Sequence, residues 1–503
     1  METEVLIVGA GPTGLVLALW LARLGIRVRI IDKAPEPGTT SRALAVQVRT
    51  LELYRQLGFA DEVVEAGRKF IAANFWARGR KAAHIEFGAL GAGFSPFPYA
   101  LIYPQDEHER FLIERLAELG VQVERGAELL GFEETADGVQ AQLRGATCRA
   151  AFLAGCDGAR STVRENLGIT FPGGTYEHLF YVADVEASGP LIDGELHVSV
   201  DESDFAAVFP LEAAGRARLI GTIRPGSEKE RDDYGWDDVS TGLLQRLRID
   251  VRRVNWFSTY HVHHRVASRF RRGRVFLLGD AAHIHSPVGG QGMNTGIGDS
   301  VNLGWKLAAT LRRRSPVRIL DSYEPERIGF ARKLVSTTDR VFQFVTRSGR
   351  LAALVRVHLA PRVFSASFRV RAVRRFLFRT VSQTAISYRP SDLSEGTAGR
   401  VRGGDRLPWV QSSPDNFAPL ESLDWQAHVY GASSPALGKT CQARGLPLHV
   451  FPWTPSAARA GLARGAVYIV RPDGHVGLAH PSQDPAVLER YLDVRGVRLL
   501  APA

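Results

Sequence analysis

The chain has 503 residues, enough for two to four domains with sizeable cores, which excludes a single small domain. It is 45% hydrophobic and 23% charged, ordinary for a soluble globular protein, and no uncharged apolar run reaches the length of a membrane span. The net charge of +10 raises nucleic acid as a partner, but the densest basic run, 340–379, alternates arginines with Val, Leu and Phe. That pattern reads as amphipathic helices broken near Pro361, with a solvated face rather than a phosphate-binding or membrane-gripping one.

The opening segment, EVLIVGAGPTGLVLALWLARLGIRVRIID, reads as strand, glycine turn, helix, strand and acid, with no room for a signal peptide, so the cytoplasm is the expected compartment. Gly9 permits the tight turn, Gly11 lets a pyrophosphate approach the backbone, and Gly14 lets the helix pack on the strand. Asp32 ends the second strand where a ribose hydroxyl would lie. This is a dinucleotide fingerprint, and it does not by itself distinguish NAD(P) from FAD. A helical pattern then covers 41–58, with Arg42 near its start and Arg49 further along as candidates to face the pyrophosphate. Residues 70–100 read as strands and turns that contribute to a separate substrate sheet. A helix follows Pro104, with Gln105 at its opening.

The stretch AFLAGCDGARSTVR ends a strand at Asp157-Gly158 and opens a helix after Arg160-Ser161. It is either a second dinucleotide contact or a plain turn with Ser161 as cap. From 176 to 265, apolar runs alternate with Gly, Asp and Pro, as in an antiparallel sheet. His261, His263, His264, His283 and His285 raise a zinc site, but no cysteine accompanies them and HVHHR alternates like a strand, so no metal is expected. The three cysteines, Cys148, Cys156 and Cys441, have neither zinc nor disulfide spacing.

The run from Val275 to Leu307, VFLLGDAAHIHSPVGGQGMNTGIGDSVNLGWKL, joins a buried strand, a carboxylate at Asp280, a glycine-rich loop after Pro287 and a helix from about Met293. Glycines 289, 290 and 292 let backbone amides approach a planar ligand, and the positive end of the helix points to the same place. From Gly399 the composition changes to a glycine-and-arginine linker and then a third pattern of strands and helices, including a hairpin about Pro472-Asp473-Gly474. It resembles a thioredoxin-like fold without a C-x-x-C pair, so a structural or dimerising role is expected. A chain ending near Asp405 is expected to keep its cofactor.

Together GAGPTG, GCDGARSTVR and GDAAHIHSPVGGQGMNTGIGD resemble the motifs of class A FAD-dependent aromatic monooxygenases related to para-hydroxybenzoate hydroxylase, over residues 1 to about 400. SYRPSDLS and GGDRLPW resemble the polyketide-hydroxylase branch. The resemblance implies an α/β protein. A Rossmann-like FAD-binding domain would span 1–175 and 266–398, with an inserted antiparallel substrate domain at 176–265 and a thioredoxin-like domain at 399–503. It implies FAD contacts at Gly9, Gly11, Pro12, Thr13, Gly14, Asp32, Lys33, Arg42, Gln105, Asp157, Arg160, Asp280, Pro287, Gly290, Gln291, Gly292, Met293 and Asn294. The implied reaction uses NADPH or NADH and O2 to hydroxylate a polycyclic phenol through a flavin C4a-hydroperoxide, in a monomer or homodimer, with no catalytic base legible. Baeyer–Villiger oxidation and a non-oxygenating flavin carrier stay open as alternatives.

Overall fold

The computed structural model describes residues 2–38, 43–70, 72–77, 79–86, 91–200, 205–211, 215–223, 234–286, 289–346, 370–413 and 415–499. Three large sheets organise it. In the first, five parallel neighbours run in the order Val275–Leu277, Ala146–Gly155, Thr3–Val8, Val28–Asp32, Val123–Arg125. Leu6 and Ile7 at its centre are fully buried, as a parallel strand covered on both faces requires. The Pro12–Arg23 and Gly292–Leu311 helices pack against each other along much of their length.

The second sheet has eight strands in the order His283–Ile284, Asp250–Val266, Gly173–Ser188, Arg216–Ile223, Phe205–Pro210, Leu196–Val200, Ala72–Ala77, Arg80–Glu86. Only the Leu196–Val200 and Ala72–Ala77 pair is parallel. One face, with Leu179, Tyr181, Ala183 and Val185, is buried against Leu243 and Leu247 at the Thr241–Arg246 helix. The other carries Phe180 and Val262, with Tyr176, Phe205 and Tyr260 packed beside them. Between Val275–Leu277 in the first sheet and His283–Ile284 in the second lies only the tight turn Gly279–Ala281, so this short stretch stitches the two sheets together.

The third sheet runs Val401–Arg402, Glu395–Ala398, Val476–His480, Val467–Val470, Gln426–Tyr430, Leu448–Phe451. Its core, a parallel pair flanked by an antiparallel hairpin, has the thioredoxin-type order. Cys441 is buried there, which pushes its thiol up to about 11 and makes it a poor nucleophile.

Three local expectations change. The helix of the 41–58 region begins only at Val48, because Ala45–Val46 is extended and pairs with Ala100–Ile102. The third sheet starts at Glu395 rather than Gly399, and Gly403 and Gly404 are not a loose linker: a Cβ on either would strike the backbone of Glu395 or Arg389. The expected break near Pro361 lies outside the described residues. Among the described residues no helix is long and apolar enough to cross a membrane.

The third sheet is locked to the rest by buried charge. Lys306 donates to Glu326 at 2.8 Å, and Arg471 grips both oxygens of Glu326 at 2.7 and 2.9 Å and reaches Asp473 at 2.6 Å. Ser391 and Asn302 fill further acceptor sites on Glu326, at 2.6 Å each. Burial alone would raise the Glu326 carboxyl, but Arg471 and Lys306 outweigh it and hold it far below the usual carboxylate range. The four groups balance, two cations against two anions, so removing one leaves a buried charge. Trp305 stacks edge-on to Trp425 across the same seam at 5.6 Å.

Arg471→Ala is therefore expected to lower unfolding stability by about 3–5 kcal/mol in denaturant melts. A chain ending at Asp405 is expected to lose its cooperative transition, which reverses the expectation that the tail is dispensable. Because the folded-state pKa of Glu326 lies below its ordinary 4.5, its contribution is present above that pH and lost as pH falls below it, and Glu326→Gln should flatten that acid slope.

Candidate functional site

The two helix starts converge. Thr13 is wedged between Gly279 and Gly296: a Cβ on Gly279 would lie 2.6 Å from its Oγ1, and one on Gly296 would strike the same atom. Ser300 Oγ donates to the Thr13 carbonyl at 2.6 Å. Both helices thus open their first-turn amides near the Gly279–Ala281 turn, where two positive dipole ends favour an anion.

The glycines around the first turn divide by role. A Cβ on Gly9, which has φ +103°, would strike the Cys156 carbonyl, and one on Gly14 would strike the Gly9 carbonyl. These two are fixed by packing. Gly11 has ordinary φ −76°, and a Cβ there would meet nothing within 4 Å, so open space lies directly above the turn. Pro12 is the first residue of the helix and is buried. Asp32 accepts from the Ala10 amide at 2.7 Å and the Ala34 amide at 2.9 Å, which points its carboxylate along the rim of the turn, while Lys33 beside it is exposed. Asp280 is exposed between buried Gly279 and Ala281.

The glycine loop is shaped by its neighbours. Gly289 and Gly290 have φ +80° and +62°, conformations that suit glycine. Gln47 Nε2 donates to the Gly289 carbonyl at 2.9 Å, and a Cβ on Gly290 would lie 2.8 Å from that of Ala45. Asn294 has no hydrogen bond left for a ligand: it donates to the Ala45 and Gly290 carbonyls and accepts from the Gln47 amide and Thr50 Oγ1, at 2.7–2.9 Å. Gln291 is similarly engaged by Gly289, Val381 and Gln383. Both act as braces that hold the loop open, and side-chain contact with a ligand is set aside for them. Gly292 and Met293, the first residues of the helix, are partly exposed and remain available through their backbone.

Other expected residues fall elsewhere. Asp157 accepts from Ser161 Oγ at 2.6 Å and the Val163 amide at 3.0 Å, so it spends its carboxylate capping the Thr162–Asn166 helix, and Arg160 is exposed. Arg164 from the same motif is buried and ties the Ala281 carbonyl at 3.0 Å to Ala159 at 2.9 Å. Gln105 donates to Glu109 at 2.8 Å, and its backbone amide bonds the Ala43 carbonyl at 3.1 Å. Arg49 turns away from the site, pairing with Glu52 at 3.0 Å and donating to the Asp473 carbonyl at 2.5 Å. Arg42 and Pro287 lie outside the described residues. Among the described residues no group of three or more His, Cys, Asp or Glu side chains is placed to hold a metal ion.

Sequence reading expected the antiparallel sheet over 176–265 but named none of the aromatic residues on its second face. Phe180 lies 5.9 Å from Tyr260 and 6.4 Å from Phe205, ring centre to ring centre. Phe209 and Leu211, further along the Phe205 strand, pack on Leu44 and Ile102 beside the Ala45–Val46 strand that brackets the loop. The strand that carries Phe205 is thereby packed beside the strand that brackets the glycine loop. A signal was present in LFYV at the start of LFYVADVEA, where both alternating sets are apolar before Asp184 and Glu186 make one face polar.

An open floor over Gly11, carboxylates at Asp32 and Asp280, paired helix starts and a braced glycine loop fit an extended dinucleotide with a planar ring, as FAD is. Residues 2–338 match the model of the FAD binding domain family. The chain is 33% identical to a 6-methylpretetramide 4-monooxygenase of Streptomyces rimosus over 94% of this chain and 90% of that one. Its fold is similar to OxyS anhydrotetracycline hydroxylase from the same species, with a TM-score of 0.80 and 28% identity over 99% of this chain and 100% of the other. It is also similar to the Diels-Alderase PyrE3 of pyrroindomycin biosynthesis, with a TM-score of 0.77 and 27% identity over the full length of both.

The contrast between glycines gives a test. Gly11→Ala is expected to leave the thermal midpoint of the flavin-free protein unchanged while weakening FAD retention at least tenfold in dilution assays. Gly14→Ala is expected to lower that midpoint directly, because its Cβ collides with backbone.

Proposed function

The chain belongs to the FAD binding domain family of flavoprotein monooxygenases, and from that membership we propose that it is an NAD(P)H-dependent aromatic hydroxylase acting on a polycyclic phenol of the polyketide type. The observation that carries the reading is the packing of the aromatic-bearing strand Phe205–Pro210 beside the Ala45–Val46 strand, which Asn294 ties to the glycine loop. Segments 1–175 and 266–394 bind the cofactor, and 176–265 with part of 70–100 covers the substrate.

When bound, FAD supplies electron transfer from the nicotinamide and activation of O2 for insertion at an aromatic carbon. The chain supplies the setting. Backbone at Gly11 holds the pyrophosphate, and the start of the Pro12–Arg23 helix balances its charge. Asp32 and Asp280 accept from sugar and ribityl hydroxyls. The Gly292 and Met293 amides, at the positive end of a 20-residue helix, stabilise negative charge on the pyrimidine side of the ring. Phe205 and Tyr260, partly exposed and backed by buried Phe180, would meet a flat substrate and exclude water from the reacting face. Asn294 and Gln291 hold the loop so that these amides stay in place, and Asp157 sets the helix behind the Gly279–Ala281 turn through Arg164.

A second reading has a specific motive. The similarity to PyrE3, described as a Diels-Alderase, supports a chain that binds flavin but inserts no oxygen.

Incubation with NADPH, 18O2 and a panel of hydroxylated anthraquinones separates these readings. The hydroxylase incorporates one labelled oxygen on a ring and consumes NADPH several-fold faster with substrate present. A labelled lactone indicates Baeyer–Villiger chemistry. No label and no stimulation, from a fully flavin-loaded protein, supports the non-oxygenating reading.

A further inference from the structure

Two histidines leave the second sheet together, and they differ. His283 is fully committed, its Nε2 lying 2.7 Å from Asp299. His285 is not. Its Nδ1 lies 2.7 Å from the Ser286 carbonyl oxygen, which can only accept, so Nδ1 carries the proton and Nε2 presents a lone pair. That nitrogen is buried and has no hydrogen-bond partner among the described residues. An orphaned acceptor in a native protein calls for an explanation.

Its surroundings supply one. A Cβ built on Gly292 would sit 3.8 Å from His285 Nε2, so this nitrogen lies beside the first residue of the Gly292–Leu311 helix. First-turn amides there have no acceptor within their own helix. An acceptor set beside donors, at a residue with no side chain, is complementary to the edge of a planar ligand that carries an N–H or O–H next to oxygen atoms. Burial pushes the imidazole down to about 4, which keeps it neutral and accepting at physiological pH.

We infer that His285 contacts the bound ligand, its Nε2 accepting a hydrogen bond from a donor on a planar ring seated over Gly292. This rests on the flavin monooxygenase reading above. Two donors share that chemistry, the imide N–H of the flavin and the hydroxyl of a phenolic substrate. In either case His285 orients rather than ionises. With its pKa at about 4 against about 10 for a phenol, proton transfer is unfavourable by about six orders of magnitude.

The test uses the full-length holoenzyme with His285→Phe, which deletes the acceptor, and His285→Gln, whose amide oxygen can replace it. Flavin release on dilution, followed by fluorescence, reads the first donor. The second is read from flavin absorbance changes on titration with 2-hydroxyanthraquinone and with 2-methoxyanthraquinone, which lacks the donor. His285→Phe is expected to weaken one arm about fivefold, the ordinary worth of one hydrogen bond; because it also removes the Nδ1 donor to Ser286, the thermal midpoint of each flavin-free variant is read beside the binding arms. His285→Gln is expected to recover part of the loss. Faster flavin release assigns the imide; loss of the preference for hydroxyl over methoxyl assigns the substrate. Unchanged flavin release together with an unchanged preference overturns the inference, and a lowered thermal midpoint in that case assigns His285 to holding Ser286. A wild-type protein that holds no flavin defeats the underlying reading instead, before any variant is compared.

Discussion

Two opposite charges lie two turns apart on one buried helix, and neither can stand alone. Asp299 and Lys306 are both fully buried on the Gly292–Leu311 helix. An unpaired charge in such a place costs several kcal/mol, so each must be neutralised where it stands. Asp299 is met by Arg327 at 2.5 Å, by His283 at 2.7 Å and by the Gly279 amide at 3.0 Å. Through those bonds it fixes the turn that joins the first two sheets. Lys306 is met by Glu326, which Arg471 of the third sheet completes. One helix thereby sets the positions of all three sheets, and its first residues line the candidate cofactor space. The ion pairs add little net stability against an apolar alternative; what they supply here is register, since a helix rotated or slid by one residue would leave both charges unmatched.

This arrangement gives the third sheet a role that its lone buried cysteine does not suggest. Its hairpin delivers Arg471 and Asp473 to the back of the helix, and the Asp473 carbonyl also receives Arg49. Glu52, one turn from Arg49, pairs with Arg406 at 2.8 Å from the segment leading into that sheet. The sheet thus braces two elements from behind: the Gly292–Leu311 helix and the Val48–Leu57 helix that follows the loop-bracketing strand.

Much of this was legible in the chain and some was not, for a consistent reason. Local geometry writes itself into spacing, so the strand-turn-helix at GAGPTG, the acid at Asp32, the start of the helix after the glycine loop and the hairpin about Asp473 could be placed from sequence. The identity of a long-range partner does not. Arg49 was a fair candidate for a phosphate by position, yet its partners lie at 52 and 473. Asn294 and Asp157 sit inside recognisable motifs, and spacing cannot tell a residue that touches a ligand from one that braces the residues that do. GRVRGGDR has the composition of a linker, and only the approach of Glu395 and Arg389 shows why glycine is needed there. Lys306 and Glu326 gave no signal, since a lone charge in a helical pattern ordinarily faces water.

The Gly292–Leu311 helix and the third sheet form one cooperative unit through buried charge. Native-state hydrogen exchange tests it most directly, because amides that open together share one free energy of opening. The account predicts that the Gly292–Leu311 helix and the strands Val467–Val470 and Val476–His480 exchange with a common opening free energy, close to that of global unfolding. Strands of the third sheet that exchange through a much lower-energy opening, while the helix keeps its full protection, would contradict it.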